Sequence, residues 1–422
     1  MGSSKSKTTW LQGWWEPSAV ESDADKIRRN DNSLTNVVIY DWESAAIEIL
    51  DALKNNSVVK KVSILDTETL LPENQEAHVK LSGVMKCNKS VECLYICLGK
   101  LRERNQLFEI GDRNNERAQL FATMATSGGW SSIQELVLDD DDDDGIEPLS
   151  LREAEHLSIF IIQSENLRTL SLEITGHEAG PIMETLSRTK VQSLKLHFRS
   201  PSLQNGSRRL ATALERCTCI TQLRLEFPSY NDQVELFFQI LLIESIPKML
   251  GLKKFELEIN RHFDQQFFDM VGQCIGGHQG EIEELRLILR PSSVNSLSRV
   301  VGLAPALRRL KVIHFGRSSR LTLQEIGELS GIAADCDTLE KFGYSLRNAM
   351  DEILSIDTFK AMCELWSKFP SLKRVSRNYY GVLLGEENRL TAFLEMIKAK
   401  ARPLNKSSCS NVCIAMLKRK QP

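Results

Sequence analysis

Leu167-Arg168-Thr169-Leu170-Ser171-Leu172 sets leucines at the first, fourth and sixth places of a short window and polar residues between them. Places four and six are two apart, the period of a strand with one buried face. The same window recurs from Leu34 to Leu372. It reads Leu34-Val37-Ile39, Val59-Val62-Ile64, Val91-Leu94-Ile96 and Ile133-Leu136-Leu138 ahead of Leu167. After it come Val191-Leu194-Leu196, Ile220-Leu223-Leu225, Leu252-Phe255-Leu257, Ile282-Leu285-Leu287, Leu307-Leu310-Val312 and Leu339-Phe342-Tyr344. The last is Leu372-Val375, where Arg377 takes the third apolar place. Twelve windows over 338 residues give a mean step of about 31, the length of one supersecondary unit.

Upstream of the windows, apolar residues recur at helical spacing, as in Ile47, Leu50 and Leu53, and small polar residues such as Asn55-Asn56-Ser57 fill the turn. Helix, turn and short strand form a unit too small to bury its own apolar face. Stacked copies share one core and build a parallel sheet lined by helices. A doubly wound α/β fold calls for longer apolar strands and no twelvefold window.

Leu210–Phe227, LATALERCTCITQLRLEF, resembles the leucine-rich repeats of the ribonuclease-inhibitor-like class in its Leu, Cys and Leu-Leu-Leu spacing. That resemblance covers roughly Leu34 to Ala401. It implies an α/β leucine-rich-repeat solenoid, a curved parallel sheet of about 12 short strands. It also implies a protein-binding role. The domain reading is a disordered leader over 1–33, repeats over 34–402 with a capping helix near 390–401, and a basic tail over 403–422. Asn105–Glu116 reads as an insertion loop and Gly272–Gly280 as a long turn between repeats.

The 422 residues carry a formal charge of −3, which argues against nucleic-acid binding through a bulk field. No apolar run approaches a membrane span or a secretory signal, so the ten cysteines are read as thiols in a reducing cytoplasm. Cys87, Cys217, Cys274, Cys336 and Cys363 fall in or beside helical stretches as small apolar groups. No zinc spacing, P-loop or GxSxG motif occurs. Asp139–Asp144 with Gly145 opens like a calcium loop, but Leu151 stands where the bidentate Glu is needed. The expectation is therefore a non-enzyme with no cofactor, metal or small-molecule substrate.

Places three and five of each window point away from the core. In the first six windows these hold Lys61 and Lys195, with Glu135 as an acid. In the last six they hold Arg224, Lys254, Arg286, Arg309, Lys311, Lys341 and Arg374 against Glu256 and Glu284. One reading is a basic concave strip for an acidic partner protein. The other is a solvated ladder neutralised by neighbours such as Glu226 and Glu258. At the N-terminus, Gly2 with Ser6 fits the N-myristoylation pattern, and Lys5 and Lys7 suit an anionic leaflet. The functional expectation is a leucine-rich-repeat scaffold, reversibly tethered at a membrane. A GTPase-activating protein or a ubiquitin-ligase substrate receptor built on such repeats is the alternative by fold analogy.

Overall fold

The computed structural model describes residues 24–39, 44–64, 75–97, 110–139, 149–174, 179–198, 207–227, 232–259, 265–280, 282–289, 300–317, 323–346 and 356–379. The chain divides into two compact units, Met1–Glu147 with Glu155–Leu167, and Pro148–Ala154 with Arg168–Pro422.

The first unit opens with a helical turn, α1, over 24–28. It continues as β1 (Asn36–Ile39), α2 (Ser44–Leu53), β2 (Lys61–Ile64), α3 (Gln75–Cys87), β3 (Cys93–Cys97), α4 (Ile110–Thr126), β4 (Glu135–Asp139) and most of α5 (Leu151–Gln163). The second unit alternates β5 (Thr169–Ile174), α6 (Ala179–Leu186), β6 (Ser193–Phe198), α7 (Ser207–Glu215), β7 (Gln222–Phe227) and α8 (Asp232–Ile240). It goes on through β8 (Lys254–Ile259), α9 (Gln265–Gly277), β9 (Glu284–Leu289), α10 (Ala304–Leu307), β10 (Val312–Arg317), α11 (Leu323–Ile332), β11 (Lys341–Leu346), α12 (Ile356–Lys368) and β12 (Arg374–Tyr379). Within each unit neighbouring strands pair in parallel and in chain order, as in β2 with β3 and β8 with β9. That order is the signature of a solenoid. Each helix returns the chain to one end of the sheet so that the next strand adds beside the last. The chain is a leucine-rich-repeat solenoid of alternating helix and strand.

The window explains the register. Leu170 pairs with Leu194, Leu194 with Leu223, Leu223 with Phe255 and Phe255 with Leu285, so place four forms one inward row across β5 to β9. Leu172, Leu196, Leu225, Leu257 and Leu287 form the next row, and all ten side chains are buried. Each such leucine contributes about 1.5–3 kcal/mol on burial. The second unit adds a third inward row at place eight, where Phe198 stacks on Phe227 at 4.5 Å and both tilt against Phe237 of α8 at 5.9 Å. Strands β6 and β7 end on this row.

In the first unit the turns before β2 and β3 are built on buried asparagines. Asn56 Oδ1 accepts from the amides of Val58 and Val59, while Nδ2 donates to the carbonyl of Ile27 at 2.7 Å. Asn88 repeats the device, accepting from Ser90 and Val91 and donating to the carbonyls of Leu53 and Asn56. Each side chain thereby satisfies backbone groups of its own turn and of the preceding repeat, which a buried turn requires. Helix α5 starts on a capping box in which the Ser150 amide donates to Glu153 Oε2 at 2.6 Å and the Glu153 amide to Ser150 Oγ.

Several expectations change. The leader assigned to 1–33 contains α1, whose Ala24 and Ile27 are buried. Residues 110–116 of the expected insertion loop are helical in α4. Gly272–Gly277, read as a turn, closes α9, and its glycines permit close packing. A Cβ at Gly272 would overlap the Gly302 carbonyl oxygen, and one at Gly276 would come within 2.6 Å of the Pro305 side chain. Cys87, expected to pack in, is exposed, whereas Cys217, Cys274 and Cys336 are buried. Gly2, the aspartates after Asp139, the capping helix near 390–401 and the tail over 403–422 lie outside the described residues. Among the described residues no helix is long and apolar enough to cross a membrane.

Candidate functional site

On β6 to β9, places three, five and seven alternate with the buried rows and lie on the face opposite the core. On β6, half-exposed Ser193, Lys195 and His197 alternate with buried Leu194, Leu196 and Phe198. This face carries most of the basic residues expected to form a strip, and the strand register assigns each its neighbours.

Two of the seven leave the face. Val312 pairs with Glu284 and Ile313 with Leu285, so the tenth window is Leu310-Ile313-Phe315, three residues later than expected. Arg309 and Lys311 therefore precede β10. Arg309 instead closes α9: its guanidinium donates to the carbonyl oxygens of Gly276 at 2.8 Å, His278 and Gly280 at 3.3 Å. The last carbonyls of a helix have no partner within it, and a planar cation is a favourable cap. Lys311 joins a ladder along the strand entrance, pairing with Glu283 at 2.6 Å, while Lys373 pairs with Glu340 at 2.7 Å. The Lys373 ammonium holds the Glu340 carboxyl below its usual range.

On the face itself, β6 to β9 form a charge network. Lys195 lies 3.3 Å from Glu226 and Lys254 lies 3.0 Å from Glu284. Arg224 contacts three carboxylates: Glu256 at 3.1 Å, Glu258 at 3.0 Å and the neighbouring Glu226. Arg286 contacts Glu256 at 3.2 Å. The carboxylates of Glu226, Glu256 and Glu258 are buried under these cations. Four bases (Lys195, Arg224, Lys254, Arg286) thus stand against four acids (Glu226, Glu256, Glu258, Glu284), and these strands are balanced.

The balance ends at β10. Places three, five and seven of β10 to β12 hold Val312, His314 and Gly316, then Lys341, Gly343 and Ser345, then Arg374, Ser376 and Asn378, with no acid among them. Lys341 stands in register with Val312 on one side and Arg374 on the other. His314 is half-buried, and its imidazole is held down to about 4, chiefly by burial and then by Arg286, Lys341 and Lys254, with Glu284 opposing. After burial, the charges that act most on the imidazole are three cations and one carboxylate.

Burial raises the thiols of Cys93, Cys217 and Cys274 to about 12 and that of Cys336 to about 11, which keeps all four protonated. What the face can do is recognise charge. A rigid sheet presents fixed cations without ordering them at the moment of binding. Sequence reasoning missed His314; it named Glu226 and Glu258 as neutralising neighbours and Glu256 as an acid of the face, but not that all three meet at Arg224. Their visible signal was place five of β6 to β9, which reads Lys195, Arg224, Glu256 and Arg286, with Glu226 and Glu258 two residues on in β7 and β8.

No family model matches this chain, and no curated protein matches it. Among solved structures it is similar to the leucine-rich repeat-containing protein LegL7 from Legionella pneumophila, at 13% identity over 90% of this chain and 94% of that one, with a TM-score of 0.40. It is also similar to a chain in the yeast Rad7 and Elc1 complex, at 11% identity over 88% and 87% with a TM-score of 0.41. The Caenorhabditis elegans tropomodulin C-terminal domain matches at 17% identity over 40% of this chain and 92% of that one, with a TM-score of 0.28. At such identities and TM-scores these likenesses assign no function, and the leucine-rich-repeat architecture rests on the chain's own strand order and register.

Proposed function

We propose that this protein is a non-enzymatic leucine-rich-repeat scaffold that binds an acidic partner protein through the exposed strand face of its second unit. The observation that carries this reading is the run of face positions on β10 to β12, which holds Lys341 and Arg374 and no acid at places three, five or seven. A cationic surface on fixed strands favours an anionic partner and steers its approach. The alternation of helix and strand suits the ribonuclease-inhibitor-like class of repeats. The test is affinity purification with wild type and with a Lys341→Glu, Arg374→Glu variant. Recovery of one saturable protein partner by wild type, and its loss in the variant, is the expected result. A wild type that recovers none ends the scaffold reading, and undiminished recovery by the variant ends the role of this face.

The proposal includes a reversible membrane tether at Gly2, supported by Ser6 and by Lys5 and Lys7. One myristoyl chain gives a partition constant on the order of 10⁴ M⁻¹, so the tether is weak and needs the basic residues or the partner to hold. Gly2→Ala is expected to move the protein out of the membrane fraction; equal fractionation removes the tether.

A further inference from the structure

We infer that Arg286, His314 and Lys341 form a single seat for a carboxylate on an acidic segment of the partner, and that the balanced strands β6 to β8 give such a segment no net attraction. The inference rests on the scaffold reading above and narrows it from a long strip to three residues.

Geometry brings the three together. Arg286 and His314 are direct partners across β9 and β10. Lys341 lies opposite Val312 across β10 and β11, while Gly343, two residues on, lies opposite His314. Lys341 is therefore the diagonal neighbour of His314 on the same face. Strands lie about 4.8 Å apart and rise about 3.3 Å per residue, so Arg286 and Lys341, two strands and two residues apart, rise from backbone positions about 12 Å apart with His314 on the strand between them. Two long cationic side chains can close on one carboxylate across that gap.

Charge then distinguishes these three from the rest of the face. Arg224 has three carboxylates around it, whereas the ion pair of Arg286 is to Glu256 Oε1, an oxygen Arg224 also approaches. Lys341 has Val312 and Arg374 in register on either side, neither of them an acid. Among the described residues, the charged groups that act on His314 include Arg286 and Glu284 on β9, Lys254 on β8 and Lys341 on β11, three cations to one anion. An incoming carboxylate gains a guanidinium fork and an ammonium, the strong charge-assisted pairing. On the other side, Glu226, Glu256 and Glu258 neutralise Lys195 and Arg224, so β6 to β8 offer an acidic segment no net attraction in that direction. An acidic segment is thus confined to the β9–β11 end.

The experiment is fluorescence anisotropy with the full-length protein at low salt, using a fluorescein-labelled alternating Glu-Ser decapeptide and its Lys-Ser counterpart as probes. The Glu-Ser peptide is expected to bind and the Lys-Ser peptide not to bind. Lys341→Glu should weaken binding at least about tenfold, and His314→Gln should weaken it less. Glu258→Gln should leave it unchanged or tighten it. Circular dichroism of each variant separates loss of the seat from loss of the fold. No binding of the Glu-Ser peptide by wild type, or equal binding by a folded Lys341→Glu variant, overturns the seat. If affinity purification still recovers a protein partner in that case, the scaffold reading stands without it.

Discussion

Arg224 and Arg286 approach the same carboxylate oxygen, Oε1 of Glu256, at 3.1 and 3.2 Å. That oxygen accepts no hydrogen bond of acceptable angle, so the two contacts are ionic. One buried carboxylate therefore holds two guanidiniums from the strands on either side and fixes β7, β8 and β9 against one another. Glu256→Gln leaves two cations over a neutral amide. Breaking a buried pair costs about 3–5 kcal/mol, but both arginines are about one-third exposed, so screening reduces this to about 1–3 kcal/mol. Urea unfolding measures it, and a loss below about 0.5 kcal/mol would show that solvent already screens the contact.

Arg309 and Lys341 looked alike in the sequence and should behave oppositely. Arg309→Lys keeps the charge but cannot reach the carbonyls of Gly276, His278 and Gly280 together, and should cost about 1–2 kcal/mol. Lys341→Ala should change stability by no more than about 0.5 kcal/mol. Thermal unfolding of the two variants side by side decides; equal stability of both would remove the helix cap.

Two helix glycines give a second contrast. A Cβ at Gly272 overlaps the Gly302 carbonyl oxygen, and only backbone movement can relieve that clash. A Cβ at Gly83 on α3 meets nothing within 4 Å, so a methyl group fits there freely. Gly272→Ala should destabilise by more than about 2 kcal/mol. Gly83→Ala should stabilise by about 0.5–1 kcal/mol, because alanine loses less backbone freedom in a helix. A neutral Gly272→Ala would mean that the turn before α10 can yield.

Stability should also depend on His314. Its folded value is about 4, while an unfolded imidazole titrates near 6.5. Between those values the unfolded chain binds more protons than the folded one, so stability falls as pH drops from about 6.5 toward 4. Above that window the group has no effect. His314→Gln should flatten this part of the pH profile in chemical denaturation; a slope as steep as in wild type would place the proton uptake elsewhere.

Eleven of the twelve windows lie on strands in the expected register, and the exception is instructive. Leu307, Leu310 and Ile313 are spaced by three, which serves a helix turn as well as places one and four of a window. Leu307 closes α10, and the pairing of Ile313 with Leu285 shows that Leu310 begins the repeat. Even steps were a usable clue: Leu252, Ile282, Leu310 and Leu339 are 30, 28 and 29 residues apart. Phe198, Phe227 and Ile259 at place eight were equally legible, as a continuation of the same two-residue period.

The strip of bases was legible only as a list of residues. Apolar spacing is a local property, since whether Leu170 and Leu172 share a face depends on the two-residue period of one strand, and so the sequence by itself determined the solenoid and its inward rows. Whether a cation is neutralised depends on what stands beside it in the next strand, about thirty residues away, and on the register that brings the two together. The tertiary structure alone decided that Arg309 caps a helix, that Arg224 is surrounded by carboxylates, and that Lys341 stands diagonal to His314 with no acid on the face positions of β10 to β12.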